Sequence, residues 1–174
     1  MATLPQGVRD EHRELLARSE LLRTVADSIG TVSMESIREG VGQAYTFLIH
    51  QLIPHAQAEE LVLYPTVGRL LRAVEATETM SRDHLEVIRL TEELEALRLH
   101  LFYTPVSEVD EQALRRVLYG LYAIIKLHLA KEEEIYLPIL EVRLPASEVD
   151  GLVAAMEATA AAAKSSLRMI DPHG

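Results

Sequence analysis

Two phrases decide how this chain folds: His55-Ala56-Gln57-Ala58-Glu59-Glu60-Leu61-Val62-Leu63-Tyr64-Pro65 and His128-Leu129-Ala130-Lys131-Glu132-Glu133-Glu134. Each places a glutamate four residues after a histidine, and on a helix that spacing puts both side chains on one face, about 40° apart around the axis. A lone histidine precedes each phrase, His12 by 43 residues and His84 by 44. The match runs on past the glutamates: Pro65 and Pro138 each stand ten residues after their histidine, with Tyr64 and Tyr136 close before them. The chain therefore carries one layout twice, nearly in register.

Outward from these phrases, apolar residues recur at steps of three or four and never alternate for long, which predicts an all-α chain. A first helix from Arg9 to Ile29 carries His12, Leu15, Leu22, Val25 and Ala26 on one stripe, and Gly30 ends it. Ser33 is placed to cap a second helix, whose stripe of Ile37, Val41, Ala44, Leu48 and Leu52 continues into His55, Glu59 and Leu63. Pro54 removes a hydrogen bond inside that helix, so a kink is expected just before His55. A third helix from Thr77 to His100 aligns Met80, His84, Val87, Ile88, Thr91 and Leu94, and a loop over 102–107 follows. The fourth has the cleanest stripe, running from Leu114, Val117 and Leu121 through Ile125, His128 and Glu132 to Ile139. Ser-Glu-Val-Asp occurs at 107–110 and again at 147–150, each copy with the serine-to-acid spacing of a helix-start box. The second copy opens an alanine-rich fifth helix reaching Arg168. The expected architecture is an up-down-up-down four-helix bundle over 1–146, with a C-terminal helix and tail over 147–174 packed on the bundle or on a second subunit.

At 174 residues, with 48% hydrophobic and 25% charged, the chain fits one domain with a sizeable core. It has no run of about 18 uncharged apolar residues and no basic-then-apolar leader at Met1 to Gly7, so the expected address is the cytoplasm. The absence of cysteine excludes disulfides, thiolate metal sites and a thiol nucleophile. A net charge of −10 argues against nucleic acid and against an anionic membrane, which both select clustered lysine and arginine.

All four bundle helices then direct donors at one interior point: His12, His55 with Glu59, His84, and His128 with Glu132. Burying these groups without partners costs several kcal/mol for each charge, and metal ions remove that cost. Nitrogen and oxygen donors without thiolate suit iron, manganese, zinc or copper, and a glutamate between two ions bridges them. Six protein ligands exceed what one zinc takes, whereas two six-coordinate ions offer about twelve positions and leave room for a small molecule. The neighbours one turn away, Leu15, Leu16, Leu52, Val87, Ile88, Ile124 and Ile125, would exclude water and suit a small neutral ligand.

The pattern H…HxxxE…H…HxxxE, carried by the two phrases above, resembles the hemerythrin-like domain family, also called the HHE cation-binding domain, over residues 9 to 143. The resemblance implies a non-heme di-iron centre in a four-helix bundle, with His12, His55, His84 and His128 as terminal ligands and Glu59 and Glu132 as bridges. The implied cofactor is two iron ions with a bridging oxo or hydroxo group, and manganese or zinc could occupy the same ligands. Oxygen-carrying members have a further histidine at the position of Ile88 and place the last bridging carboxylate at the position of Glu133. The chain is therefore similar to the broader group, associated with sensing oxygen or iron, handling peroxide or nitric oxide, and iron delivery for cluster repair. Repair ranks low, because those proteins typically add a cysteine-bearing region and this chain contains no cysteine.

The expected partners are dioxygen, peroxide or nitric oxide, a separate electron donor, and a second copy of the chain in a homodimer. No flavin or nicotinamide fingerprint is present, and no catalytic residue is assigned. The competing readings are a non-catalytic oxygen- or iron-responsive sensor or iron-binding module, and a helical interaction protein without metal. Glu60, Glu133 and Glu134 read as solvated face residues, with Glu133 the second candidate for a bridge. His50 turns about 140° from the ligand face, His100 sits opposite His84, and His173 lies in the tail. Tyr64 and Tyr136 either close the end of the pocket or simply pack, and Tyr45, Tyr119 and Tyr122 are the other tyrosines that could lie near the metals.

Overall fold

The repeated stripe folds as an antiparallel four-helix bundle with a fifth helix laid against it, in a computed structural model that describes residues 6–170. Helix α1 is Gln6–Ser28, α2 runs over 34–71, α3 is Glu78–Tyr103, α4 runs over 108–143, and α5 is Ala146–Ile170. No strand occurs among the described residues. Helices α1 and α3 each pack against both α2 and α4. Antiparallel packing sets the early turns of α1 and α3 beside the late turns of α2 and α4. That brings His12 and His84 to the level of His55 and His128.

The helix ends follow local chemistry. Gly30, at φ 79°, takes the left-handed position that ends α1. The Ser33 hydroxyl accepts the Ser36 N–H at 3.3 Å at the start of α2. Ser107 accepts the Asp110 N–H at 3.3 Å while Asp110 accepts the Ser107 N–H at 2.8 Å, a reciprocal box at the start of α4. The second Ser-Glu-Val-Asp behaves otherwise. Glu148 and Val149 donate their N–H groups to the Pro145 carbonyl at 3.0 and 3.2 Å, so α5 begins at Ala146 and Ser147 sits inside its first turn.

Pro54, Pro65 and Pro138 all fall within α2 or α4, yet neither helix breaks. Each proline is preceded by a π-helical turn: Leu48–Leu52, Glu59–Leu63 and Glu132–Tyr136. A proline ring clashes with the carbonyl four residues back and has no N–H to offer it. Widening the preceding turn lets Ile53, Tyr64 and Leu137 donate to the carbonyls of Leu48, Glu59 and Glu132, five residues back. A wider turn thus lies where a kink is expected before His55, and the helix continues through the histidine.

Two apolar clusters fill the interior. One is built from Leu22, Ile29, Leu48, Leu94, Leu114, Leu118 and Leu121 with their neighbours. The other joins Leu63, Val67, Met80 and Leu140 to Val149, Leu152, Val153 and Met156 of α5. Each fully buried leucine contributes about 1.5–3 kcal/mol relative to exposure. The ligand-type residues fall where α2 and α4 pass from one cluster to the other. Helix α5 packs along 53–63 of α2 and touches the end of α4.

Candidate metal centre

The π turn after His55 decides what reaches the interior. In an unbroken helix the residue nine positions past His55 would lie about 180° away from it. The turn Glu59–Leu63 takes up roughly one extra residue, and Tyr64 swings inward to 3% exposure. His12, His55, Glu59, His84, His128 and Glu132 are all buried too, none more than 6% exposed.

These six side chains form two facing pairs of imidazoles with two carboxylates between them. The Nε2 of His55 lies 2.9 Å from Glu59 Oε1, and the Nε2 of His12 lies 3.7 Å from that oxygen and 3.6 Å from Glu132 Oε2. Opposite, His84 Nε2 is 3.2 Å from Glu59 Oε2, while His128 Nε2 is 3.8 Å from Glu59 Oε2 and 3.5 Å from Glu132 Oε1. Each glutamate turns one oxygen toward each pair. Glu132 is the residue directed inward, and its neighbour Glu133 faces the outer nitrogen of His12.

The donors fit a metal by two tests. First, the Nε2 atoms of His12 and His55, both Glu59 oxygens and Glu132 Oε2 are buried without a hydrogen-bond partner. Leaving such groups unsatisfied costs about 1–3 kcal/mol each, a cost that a cation among them removes. Second, the Nε2 atoms of His84 and His128 are 2.9 Å apart. With both Nδ1 atoms facing carboxylates, two lone pairs point at each other unless a proton or a metal ion sits between them. Two imidazole nitrogens held at about 2.1 Å and at a right angle on one ion are separated by about 3.0 Å.

Outside the six lies a second repeated layer. The Nδ1 atoms of His12, His84 and His128 meet Glu133, Glu60 and Asp83 at 2.8, 2.8 and 3.1 Å, and His55 Nδ1 lies 3.4 Å from Glu11. Such carboxylates fix the Nδ1–H tautomer, leave Nε2 as a lone pair facing inward and raise its basicity. They are themselves held: Glu133 by Arg9, Asp83 by Lys131, and Glu60 by the Ser81 hydroxyl at 2.9 Å. Glu60 and Glu133, expected to be solvated face residues, instead each orient a histidine of the other hairpin. Glu11 and Asp83 do the same within their own hairpins. The signal was an acid directly before His12 and His84, and a second glutamate directly after Glu59 and Glu132.

Without metal the charges settle against one another. Burial opposes charge on His128, but the neighbouring Glu132 and Glu59 carboxylates outweigh it and hold its pKa at about 10. Burial likewise works against His55 and His12, and neighbouring carboxylates, Glu59 foremost, raise both. Glu59 is held well below the usual carboxylate range, its burial outweighed by the charge on His55 and by the other imidazoles around it. Glu132 moves up, through burial and then the negative charge of Glu59. Burial and the two glutamates push the Tyr64 phenol far above its ordinary value, so it keeps its proton.

Against known families, the hemerythrin HHE cation-binding domain matches residues 3–140. The chain belongs to that family. No curated protein and no solved structure is significantly similar to it. The HHE domain and the buried histidine–glutamate cluster together mark a metal-binding module, and among the described residues no helix is long and apolar enough to cross a membrane.

Within this HHE domain Ile88 does not enter the cluster, and is 37% exposed. Tyr64 does enter. Its hydroxyl donates to Glu132 Oε1 at 2.9 Å and lies 3.2 Å from His128 Nε2 and 3.4 Å from His84 Nε2. The Tyr136 hydroxyl instead donates to the Ala76 carbonyl at 2.8 Å. The other tyrosines serve elsewhere: Tyr122 binds Glu20, Tyr119 binds Asp27, and the Tyr45 ring lies under Arg98. His100 lies 3.4 Å from Asp110 near the start of α4, and His173 is outside the described residues.

Proposed function

We propose that this domain holds two iron ions and binds dioxygen or a related small oxidant, peroxide or nitric oxide, in the handling of oxidative or nitrosative stress. The carrying observation is the division of Glu59 and Glu132, each turning one oxygen to each histidine pair, with ligand-type atoms buried and unpartnered between them. His12 and His55 would hold one ion and His84 and His128 the other, with Glu59 and Glu132 shared. Bound iron supplies reducing equivalents and a Lewis-acidic position for the oxidant.

The surrounding residues support that reading. Glu133, Glu11, Glu60 and Asp83 keep each imidazole in the tautomer that offers Nε2. Leu15, Leu52, Val87 and Ile125 are buried beside the histidines and keep water out. Tyr64 retains a phenolic proton beside His84 and His128, placed to be donated to a ligand on that side.

Anaerobic loading with ferrous iron followed by metal analysis tests the proposal. The expected result is about two iron ions per chain and an absorption band that bleaches on reduction and returns in air. Uptake below about one ion per chain overturns it. Stable occupancy by manganese or zinc with no air-sensitive band overturns the redox reading.

A further inference from the structure

Among the described residues, clefts of different chemistry reach the centre. One, of about 470 Å³ between α1 and α4, touches His12 and Glu133 and is rimmed by Arg9, Arg13 and Lys126, with Leu16 in its wall. Another, of about 1020 Å³, touches Tyr64 and is rimmed by Arg69, Arg72 and Arg82. The third, of about 500 Å³, lies between α2 and α3 and is roofed by Thr159, Ala162, Ala163 and Ser166 of α5.

The first and third are counterparts in the twofold layout. His84 and Glu60 stand in the third cleft where His12 and Glu133 stand in the first, and Ile88 stands for Leu16. The sharpest change is Ile53 in place of Lys126, each two residues before its histidine. The third cleft is lined by no lysine or arginine, and its one acidic side chain, Glu60, is engaged by His84 and Ser81. The roof comes from a helix beyond the matched residues 3–140, so α5 is part of what distinguishes this cleft from its cationic counterpart.

We infer that the cleft beneath α5 is the path by which a small neutral molecule, such as dioxygen or nitric oxide, reaches the His84 side of the centre. This rests on the function proposed above. Charged and strongly hydrated species lose their water on an apolar path, whereas neutral diatomics lose little and gain contact with Ile53, Val87 and Ile88. The short side chains of α5 leave the roof clear of the passage. At its floor lies His84, whose ring stacks on that of Tyr64 with centroids 5.5 Å apart, while Tyr64 itself lines the larger, arginine-rimmed cleft.

Xenon and nitric oxide are the probes. Xenon is expected in this cleft in pressurised crystals of the metal-free full chain, and Ala163→Trp is expected to remove it. In ferrous-loaded protein, Ala163→Trp and Ile88→Trp should each slow nitric oxide association by roughly tenfold, while Leu16→Trp at the counterpart cleft leaves the rate within about twofold. Helix content and iron stoichiometry check that each variant is folded, and Ile88→Trp, on the opposite wall, serves if Ala163→Trp loosens α5. Absence of xenon from the wild-type cleft overturns the inference, as does wild-type association in both cleft variants or a larger slowing in Leu16→Trp. Xenon binding without iron uptake supports the cleft and sinks the proposed centre instead.

Discussion

The α1–α2 and α3–α4 hairpins supply the same inner groups and outer acids at matching positions, yet they differ by one residue at the tyrosine. Tyr64 directly precedes Pro65, whereas Tyr136 stands two residues before Pro138. Both widened turns start at the inward glutamate and end at the residue before Tyr64 or Leu137. In the first hairpin the position before proline is a phenol that reaches the centre; in the second it is Leu137, buried in the apolar cluster. The same sidedness appears at the clefts, where Ile53 beneath α5 answers Lys126 in the open. The repeated residues suit holding metal, and under the proposed function the departures from the repeat would give the centre a reactive side.

The largest effects should come from the shared carboxylates. Glu59→Ala or Glu132→Ala is expected to lose both ions, because each side chain serves both histidine pairs, and metal analysis after iron loading reads the result. If one of the two variants keeps both ions, the hairpins are not equal donors. Glu133→Ala and Glu60→Ala should keep both ions while affinity falls by about 10–100-fold, as for other groups that orient a ligand. Loss of both ions in Glu133→Ala alone would move the bridge to that residue.

Acidity offers the next comparison, between metal-free and loaded protein. In the metal-free chain the pKa of His128 is held at about 10 by Glu132 and Glu59, against its burial. That is above the unfolded value of about 6.5, so its contribution to stability is fully present below that value. The contribution is lost as pH rises through about 10. Glu59 works the other way: its contribution is present above the unfolded carboxylate value and lost as pH falls through its lowered one. Metal needs the imidazoles neutral, so uptake at pH 7 should release protons and apparent affinity should rise from neutral toward alkaline pH. Proton release in weakly buffered solution checks this. No release would mean the imidazoles are already neutral.

The tyrosines separate the hairpins more finely. Tyr136→Phe loses one hydrogen bond, to the Ala76 carbonyl, and should cost about 1 kcal/mol in thermal or denaturant unfolding without touching the absorption of the loaded centre. Tyr64→Phe should keep both ions but change that absorption and the rate of ligand binding, since it removes the hydroxyl beside His84, His128 and Glu132. Identical spectra for Tyr64→Phe and wild type would end the claim that the one-residue shift gives the centre a side.

The sequence made the helices and the inward stripe legible because burial imposes a periodicity, and that stripe leads to the six side chains the fold brings together. It did not disclose the outer acids. Glu60 and Glu133 sit one residue past the inner glutamates, turned about 100° from them, where a helix normally meets water. Only the neighbouring hairpin makes that direction a contact, and a stripe on one helix carries no record of what faces it. Proline was equally ambiguous, since its clash can be relieved by bending or by widening a turn. Inside α2 and α4 a widened turn precedes each proline, and the helices run on between both apolar clusters.

The smallest expected effect concerns the two Ser-Glu-Val-Asp copies, alike in sequence and unlike in use. At Ser107 the hydroxyl accepts the Asp110 N–H and the Asp110 carboxylate accepts the Ser107 N–H, so Ser107→Ala leaves a helix-start donor unmet and should cost about 1 kcal/mol. At Ser147 the helix has already begun, because the preceding Pro145 has its φ fixed near the helical value and its carbonyl receives the first N–H groups of α5. Ser147→Ala removes no cap and replaces serine with the better helix former, so it should be neutral or slightly stabilising. Denaturant unfolding of both variants reads the difference. Equal losses would mean that Ser147 caps α5 after all, which would then start two residues later than Ala146.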